Sequence, residues 1–280
     1  MSEHQYAGLA LTPEVEAQRL VRQAEVHADG TRWLFQQAGL KPGMKVLDVG
    51  SGIGAVAMIA AEFVGPAGHV VGVDSNAGVL NVARARALEA GLTNLSFVDA
   101  DLHSADVGVG FDAVVGRSVL MHVADPVAAL RSLSRHIHRG GIVAFREVDA
   151  SSAWTSIPAN QLLKEFSSFW VALVQSLGIH PTMGSDLYRT FVEAGLPPPR
   201  MHRDAAIGGG PDWAGYDYLS EMSSAAKVLA LKAGLDWRAE FDGPRLVGHV
   251  RQAVAAQNGV LCLQSSVNAW TRLESAEPDV

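Results

Sequence analysis

Three glycines at alternate positions, Gly50, Gly52 and Gly54, follow an apolar run that carries a single acid, Asp48, in the segment VLDVGSGIG. A strand that turns through glycines into a helix presents bare backbone N–H groups and the positive end of a helix dipole, so a ligand can touch the main chain there. The glycines alone leave a ligand-free tight turn and a nucleotide-like cofactor site equally open. Gly50, Gly52 and Ala55 also satisfy the G-x-G-x-x-A fingerprint of dinucleotide sites. Asp48 argues against a dinucleotide, because a carboxylate two residues before the first glycine would repel a pyrophosphate, whereas it attracts a ligand that carries an ammonium group. Asp74 ends the segment VVGVD, 74 − 50 = 24 residues past the first glycine, where dinucleotide sites also carry an acid for the ribose hydroxyls, so it does not discriminate between the cofactors.

Other residues could move a proton. Glu147 and Asp149 stand at the end of an apolar run, at alternate positions that place both on one face of a strand. Glu147 is a candidate base or a charge stabiliser for a cationic intermediate; pairing with Arg146 or Arg117 is the alternative. His136 and His138 lie two apart with no third ligand in view, so no metal site is expected.

Elements must hold these groups. Strands are expected at Lys45–Val49, His69–Asp74, Leu95–Val98, Phe111–Gly116 and Gly141–Val148, with helices over Ile53–Val64, Ala77–Ala90 and Pro126–His138 between them. The strands are short, Val-rich and apolar on both faces, as a parallel sheet covered by helices requires. The fold expected is therefore α/β, a doubly wound, mostly parallel sheet. Residues 1–40 read as an N-terminal helical lid, with residues 13–40 in two pieces broken at Asp29-Gly30-Thr31, and residues 41–150 as the cofactor-binding core. Residues 151–259 read as a helical cap interleaved with core elements at 186–207. That stretch carries helices at Pro158–Gly178, Asp186–Ala194, Trp213–Ala233 and Gly243–Gln257 and a strand at Arg200–Ile207. A final core strand is expected within 260–273, at Val260–Trp270. The cap concentrates Trp154, Phe166, Phe169, Trp170, Trp213, Tyr216, Tyr218 and Met222, which suits an apolar or aromatic acceptor pocket or, equally, an ordinary core.

Bulk composition narrows the partners. The 280 residues are 48% hydrophobic and carry a formal net charge of −7 without any basic run, which argues against a nucleic-acid partner and for a small molecule. No apolar run of about 18 residues could span a bilayer, and the first residues do not open a secretory signal. One cysteine, Cys262, allows no internal disulfide, so a cytoplasmic protein is expected, with a homo-oligomer left open.

In order and spacing, VLDVGSGIG, VVGVDS, LSFVDADL, FDAVVGRSVLMHVADP and RHIHRGGIVAFREVD resemble the class I S-adenosylmethionine-dependent methyltransferases. The resemblance covers about residues 31–150 and, more loosely, 186–207. It implies a seven-stranded Rossmann-like sheet, S-adenosyl-L-methionine as cofactor, and methyl transfer to O, N or C of a small molecule. Implied cofactor contacts are Asp48, Gly50, Ser51, Gly52, Asp74, Ser75, Asp101 with the Leu102 N–H at the adenine, and Arg117 near the methionine moiety. Asp99 is the alternative to Asp101. Gln23 is a further contact, because an N-terminal segment commonly lies over the donor site in such enzymes; a solvated helix face is its alternative. His122 falls near the methyl donor as a candidate base, or else caps the loop. A methyltransferase-like cyclase, isomerase or non-catalytic protein, and an NAD-dependent oxidoreductase, share these motifs in part.

Overall fold

Val-rich runs alternate with helices between residues 45 and 149, and each run becomes a strand. The computed structural model describes residues 13–101 and 107–274. In chain order the elements are α1 (Pro13–Ala38), β1 (Lys45–Val49), α2 (Ala55–Val64), β2 (His69–Asp74), α3 (Ala77–Glu89), β3 (Leu95–Asp99), β4 (Phe111–Arg117), α4 (Pro126–Leu133) and β5 (Ile137–Asp149). There follow β6 (Thr155–Ile157), α5 (Gln161–Ser176), α6 (Met183–Glu193), β7 (Arg200–Asp204), β8 (Ile207–Gly208), α7 (Ala214–Lys232), α8 (Gly243–Ala255), β9 (Val260–Cys262) and β10 (Ser265–Arg272). Helix starts are local chemistry. The Asn76 side chain accepts from the N–H groups of Gly78 and Val79, Asp125 accepts from Ala128 ahead of Pro126, and Asn160 accepts from Leu163.

The chain divides into two compact units. One spans residues 28–148, 182–204 and 266 onward. It holds the seven-stranded sheet, in the order β3-β2-β1-β4-β5-β10-β7. β1 pairs in parallel with β2 and β4, β2 with β3, and β4 with β5, while β10 and β7 run antiparallel. The expected doubly wound, mostly parallel sheet is thus the observed one. Its strand order reverses at β1, so the carboxyl ends of β1 and β4 flank the crevice where ligands of such sheets bind. One core cluster packs Val46, Val70, Val115 and Ala144 with Leu34 and Phe35 of α1 and Val56 and Ala60 of α2. The other unit spans residues up to 27, 149–181 and 205–265, with the three-stranded sheet β6-β9-β8 and helices α5, α7 and α8. Trp154, Phe166, Trp170, Tyr216, Tyr218 and Met222 belong to its buried core. Trp154 stacks on Phe166 at 5.3 Å, so these aromatics fill an interior.

Several element limits differ from the sequence-based expectation. No break occurs at Asp29-Gly30-Thr31; α1 is continuous. Gly30 is there to admit an arginine, since a Cβ at that position would lie 2.5 Å from Cζ of Arg146. The Arg146 guanidinium is buried and paired, donating to Asp204 and, at 3.0 Å, to Asn268 Oδ1. α4 stops at Leu133 and β5 begins at Ile137, so His138 lies on a strand and not at a helix end. Phe111 pairs with Ile137 and Ala113 with Ile142, which leaves residues 138–141 bulged opposite Asp112. The expected strands at Arg200–Ile207 and Val260–Trp270 each split in two, β7 with β8 and β9 with β10, and each pair divides between the two sheets.

Two outcomes test this packing. Gly30→Ala, which would stabilise an unconstrained helix by about 1 kcal/mol, lowers stability in urea denaturation by about 1–3 kcal/mol; a gain would show that the guanidinium yields freely. In the bulge, His138 Nε2 meets Asp112 Oδ1 at 2.8 Å and Nδ1 meets the Arg139 carbonyl at 2.7 Å, so only the imidazolium satisfies both acceptors. The Asp112 hydrogen bond holds the His138 pKa above its ordinary 6.5. Stability from this pair is therefore fully present below that value and is lost as pH rises through the raised pKa. The denaturation difference between the native chain and His138→Ala is expected to shrink from pH 6 to pH 9, and a constant difference contradicts the assignment.

Candidate active site

The turn after β1 depends on backbone that only glycine adopts cheaply. Gly50 and Gly52 have φ of 64° and 53°. Gly50 must also lack a side chain, because a Cβ there would lie 2.4 Å from Cγ2 of Val119. Over Gly52, by contrast, a Cβ would meet nothing within 4 Å among the described residues, which leave the turn open on that side. Asp74, at the end of β2, fastens the turn: its Oδ2 accepts the Gly52 N–H at 2.8 Å and its Oδ1 accepts the Asn76 N–H at 2.9 Å. Ser51 N–H donates to the Val73 carbonyl, which ties the turn to the neighbouring strand.

Asp48 points out of the penultimate position of β1 and is fully buried. One oxygen, Oδ2, accepts from the Ser51 hydroxyl at 2.7 Å; the other, Oδ1, has no hydrogen-bond partner among the described residues. Burial pushes its pKa up to about 7, with the Asp74 charge adding to the rise and the Ser51 hydroxyl, the Arg117 charge and the Ala57 N–H pulling against it. An unpartnered buried carboxylate oxygen is expensive unless something cationic meets it. Asp48 beside an open glycine turn therefore fits the ammonium end of a zwitterionic cofactor, and Asp74 fits its ribose. A pyrophosphate would have to face both acids.

Glu147 has another kind of neighbourhood. Its carboxylate is fully buried, and its two oxygens accept the N–H groups of Val119 and Leu120 at 3.0 Å each and of Met121 at 3.2 Å. Burial pushes its pKa up to about 7 in spite of these three donors. Neither Arg146 nor Arg117 is the hydrogen-bond partner of these oxygens, as sequence reasoning had allowed, and both oxygens are committed to main chain.

The remaining candidates fall as follows. Arg117 ends β4, half-buried, and its Nη1 donates to Thr31 Oγ1 at 3.1 Å. His122 ends a short 3₁₀ turn, Leu120–His122, and is half-buried. Ser75 and Asp101 are exposed, and Asp99 faces Asp74 across the β2–β3 pair. Leu102 lies outside the described residues. Gln23 belongs to the other unit, where its side-chain oxygen accepts from Arg19 Nη1 at 3.1 Å, and so does Asp149, whose carboxylate accepts from Ser151. Among the described residues no group of three or more His, Cys, Asp or Glu could hold a metal ion, and no helix is long and apolar enough to cross a membrane. The structure thus joins Asp48, Ser51, Gly52 and Asp74 in one constellation. Val119 was not legible as part of it, since an apolar residue in a loop carries no sign of the glycine it covers.

Residues 40–195 match the family described as Methyltransferase domain. A relative from Pseudomonas savastanoi pv. phaseolicola, the ubiquinone/menaquinone biosynthesis C-methyltransferase UbiE, is 30% identical over 214 residues, covering 75% of this chain and 79% of that one. Among solved structures, the YcgJ protein of Bacillus subtilis has a TM-score of 0.56 at 18% identity, covering 89% of this chain and 100% of the other. Phosphoethanolamine N-methyltransferase 2 of Haemonchus contortus, solved with S-adenosylhomocysteine, has a TM-score of 0.53 at 17% identity, covering 88% and 53%. The two structures share the fold.

Asp48 also makes a prediction that needs no ligand. A folded-state pKa raised from 3.8 to about 7 means that the stability associated with the protonated acid is lost as pH rises through that range. Asp48→Asn should therefore raise the melting temperature of the ligand-free chain at pH 8 and change it little at pH 4. Equal shifts at both pH values would show that the buried charge is not the source.

Proposed function

The chain belongs to the methyltransferase-domain family and takes S-adenosylmethionine as its methyl donor, and from that premise we propose that the Asp48–Ser51–Gly52–Asp74 constellation holds the donor for methylation of a small molecule. The observation that carries the proposal is the unpartnered, buried Oδ1 of Asp48 beside the open glycine turn. S-adenosylmethionine supplies a methyl group on a sulfonium, which an acceptor displaces in line. In that role Asp48 meets the ammonium group, Asp74 the ribose hydroxyls, Arg117 lies on the methionine side, and Asp101 takes the adenine edge. The protein otherwise contributes alignment and the removal of one proton from the acceptor. His122, in the turn after β4, is the candidate to take that proton. Of O, N and C acceptors, carbon is favoured by the relatives named as C-methyltransferases. A cytoplasmic site of action completes the proposal, supported by the single Cys262, which allows no internal disulfide.

Calorimetry with S-adenosylhomocysteine and, separately, NAD tests the assignment across pH. The homocysteine product is expected to bind and NAD is not. Affinity should fall by up to about tenfold from pH 7 to pH 6, as Asp48 takes up a proton and ceases to attract the ammonium group. Asp48→Asn should bind weakly with no such slope. Tight binding of NAD alone, or a pH slope that survives in Asp48→Asn, contradicts the proposal.

A further inference from the structure

Four successive backbone N–H groups after β4 are taken up by two successive residues of β5. Ser118 donates to the Arg146 carbonyl at 2.9 Å, and Val119, Leu120 and Met121 donate to the Glu147 carboxylate. Converging amides of this kind form a concavity that binds anions, and here the chain supplies the anion itself. Ser118 has φ of 52°, in the left-handed region that disfavours a residue with a side chain, so the segment keeps this shape because its bonds over-determine it. The result is the placement of one side chain. Val119 lies in a slot between two glycines at paired strand ends: a Cβ on Gly50 would lie 2.4 Å from its Cγ2, and a Cβ on Gly116 would lie 3.0 Å from its Cγ1. Val49, just before Gly50, pairs with Gly116 across β1 and β4.

We propose that Glu147 is a positioning residue, whose carboxylate gathers the 119–121 amides so that Val119 is pressed onto Gly50 and fixes the turn that receives the methyl donor. Glu147 then acts on cofactor affinity through Val119 and exchanges no proton with an acceptor. This rests on the assignment of the methyl donor to the glycine turn. It differs from a base at the same position, which would leave donor affinity unchanged and lower turnover alone.

A double-mutant cycle on S-adenosylhomocysteine affinity tests it, using calorimetry on the full chain with thermal melting alongside. Glu147→Gln and Val119→Ala are each expected to weaken binding at least about fivefold in protein that remains folded, and the double variant to bind no more weakly than the weaker single one. If Glu147→Gln does not fold, Val119→Ala alone decides, since affinity within twofold of the native chain removes the route. Native-like affinity in Glu147→Gln, or independent multiplicative losses in the double variant, overturns the proposal. A native chain that fails to bind S-adenosylhomocysteine would instead overturn the donor assignment itself.

Discussion

A charge held in a dry place needs a partner, and at the end of β1 the described residues supply only half of one. Asp48 gives one oxygen to Ser51 and keeps the other unpartnered, while burial lifts its pKa to about 7. The surrounding architecture bears on this group. Asp48 lies on β1, where the order of the sheet reverses, and the turn that follows brings Ser51 back onto it. Asp74, on the neighbouring strand, fastens Gly52. Two acids and a bare turn form a place for a ligand that is cationic at one end and rich in hydroxyls at the other.

Close approach is the second recurring device. At Gly50 and Gly116 the missing side chain makes room for Val119, and at Gly30 it makes room for the guanidinium of Arg146. In each case the intruding group is held by polar bonds elsewhere: Val119 through the Glu147 carboxylate, Arg146 through Asp204 and Asn268. β5 thus carries consecutive residues that brace different parts of the unit, Arg146 toward α1 and the edge strands, Glu147 toward the segment after β4. Interiors transmit such contacts because they are close-packed, so the shape of the glycine turn depends on a strand two places away in the sheet.

Much of this was legible in the sequence where local chemistry decides. The runs KVLDV and HVVGVD read as strands and are strands, and the helices read from Ala77 and Pro126 begin at those residues. Asp48 stood out because its charge sits badly beside a pyrophosphate, a local electrostatic fact. What was not legible was set by partners distant in the chain. Gly30 looked like a helix break because nothing near it shows Arg146. The run from Val260 to Trp270 looked like one strand because its division follows from which sheet each half joins, and the main-chain partners of Glu147 were hidden because those amides lie 26 to 28 residues away.

An experimental structure with S-adenosylhomocysteine bound tests the central claim most directly. The account predicts the ligand's ammonium nitrogen at hydrogen-bond distance, about 3 Å, from Asp48 Oδ1, with its ribose hydroxyls on the Asp74 carboxylate. A ligand bound with its ammonium group away from Asp48, leaving Oδ1 unpartnered, would contradict it.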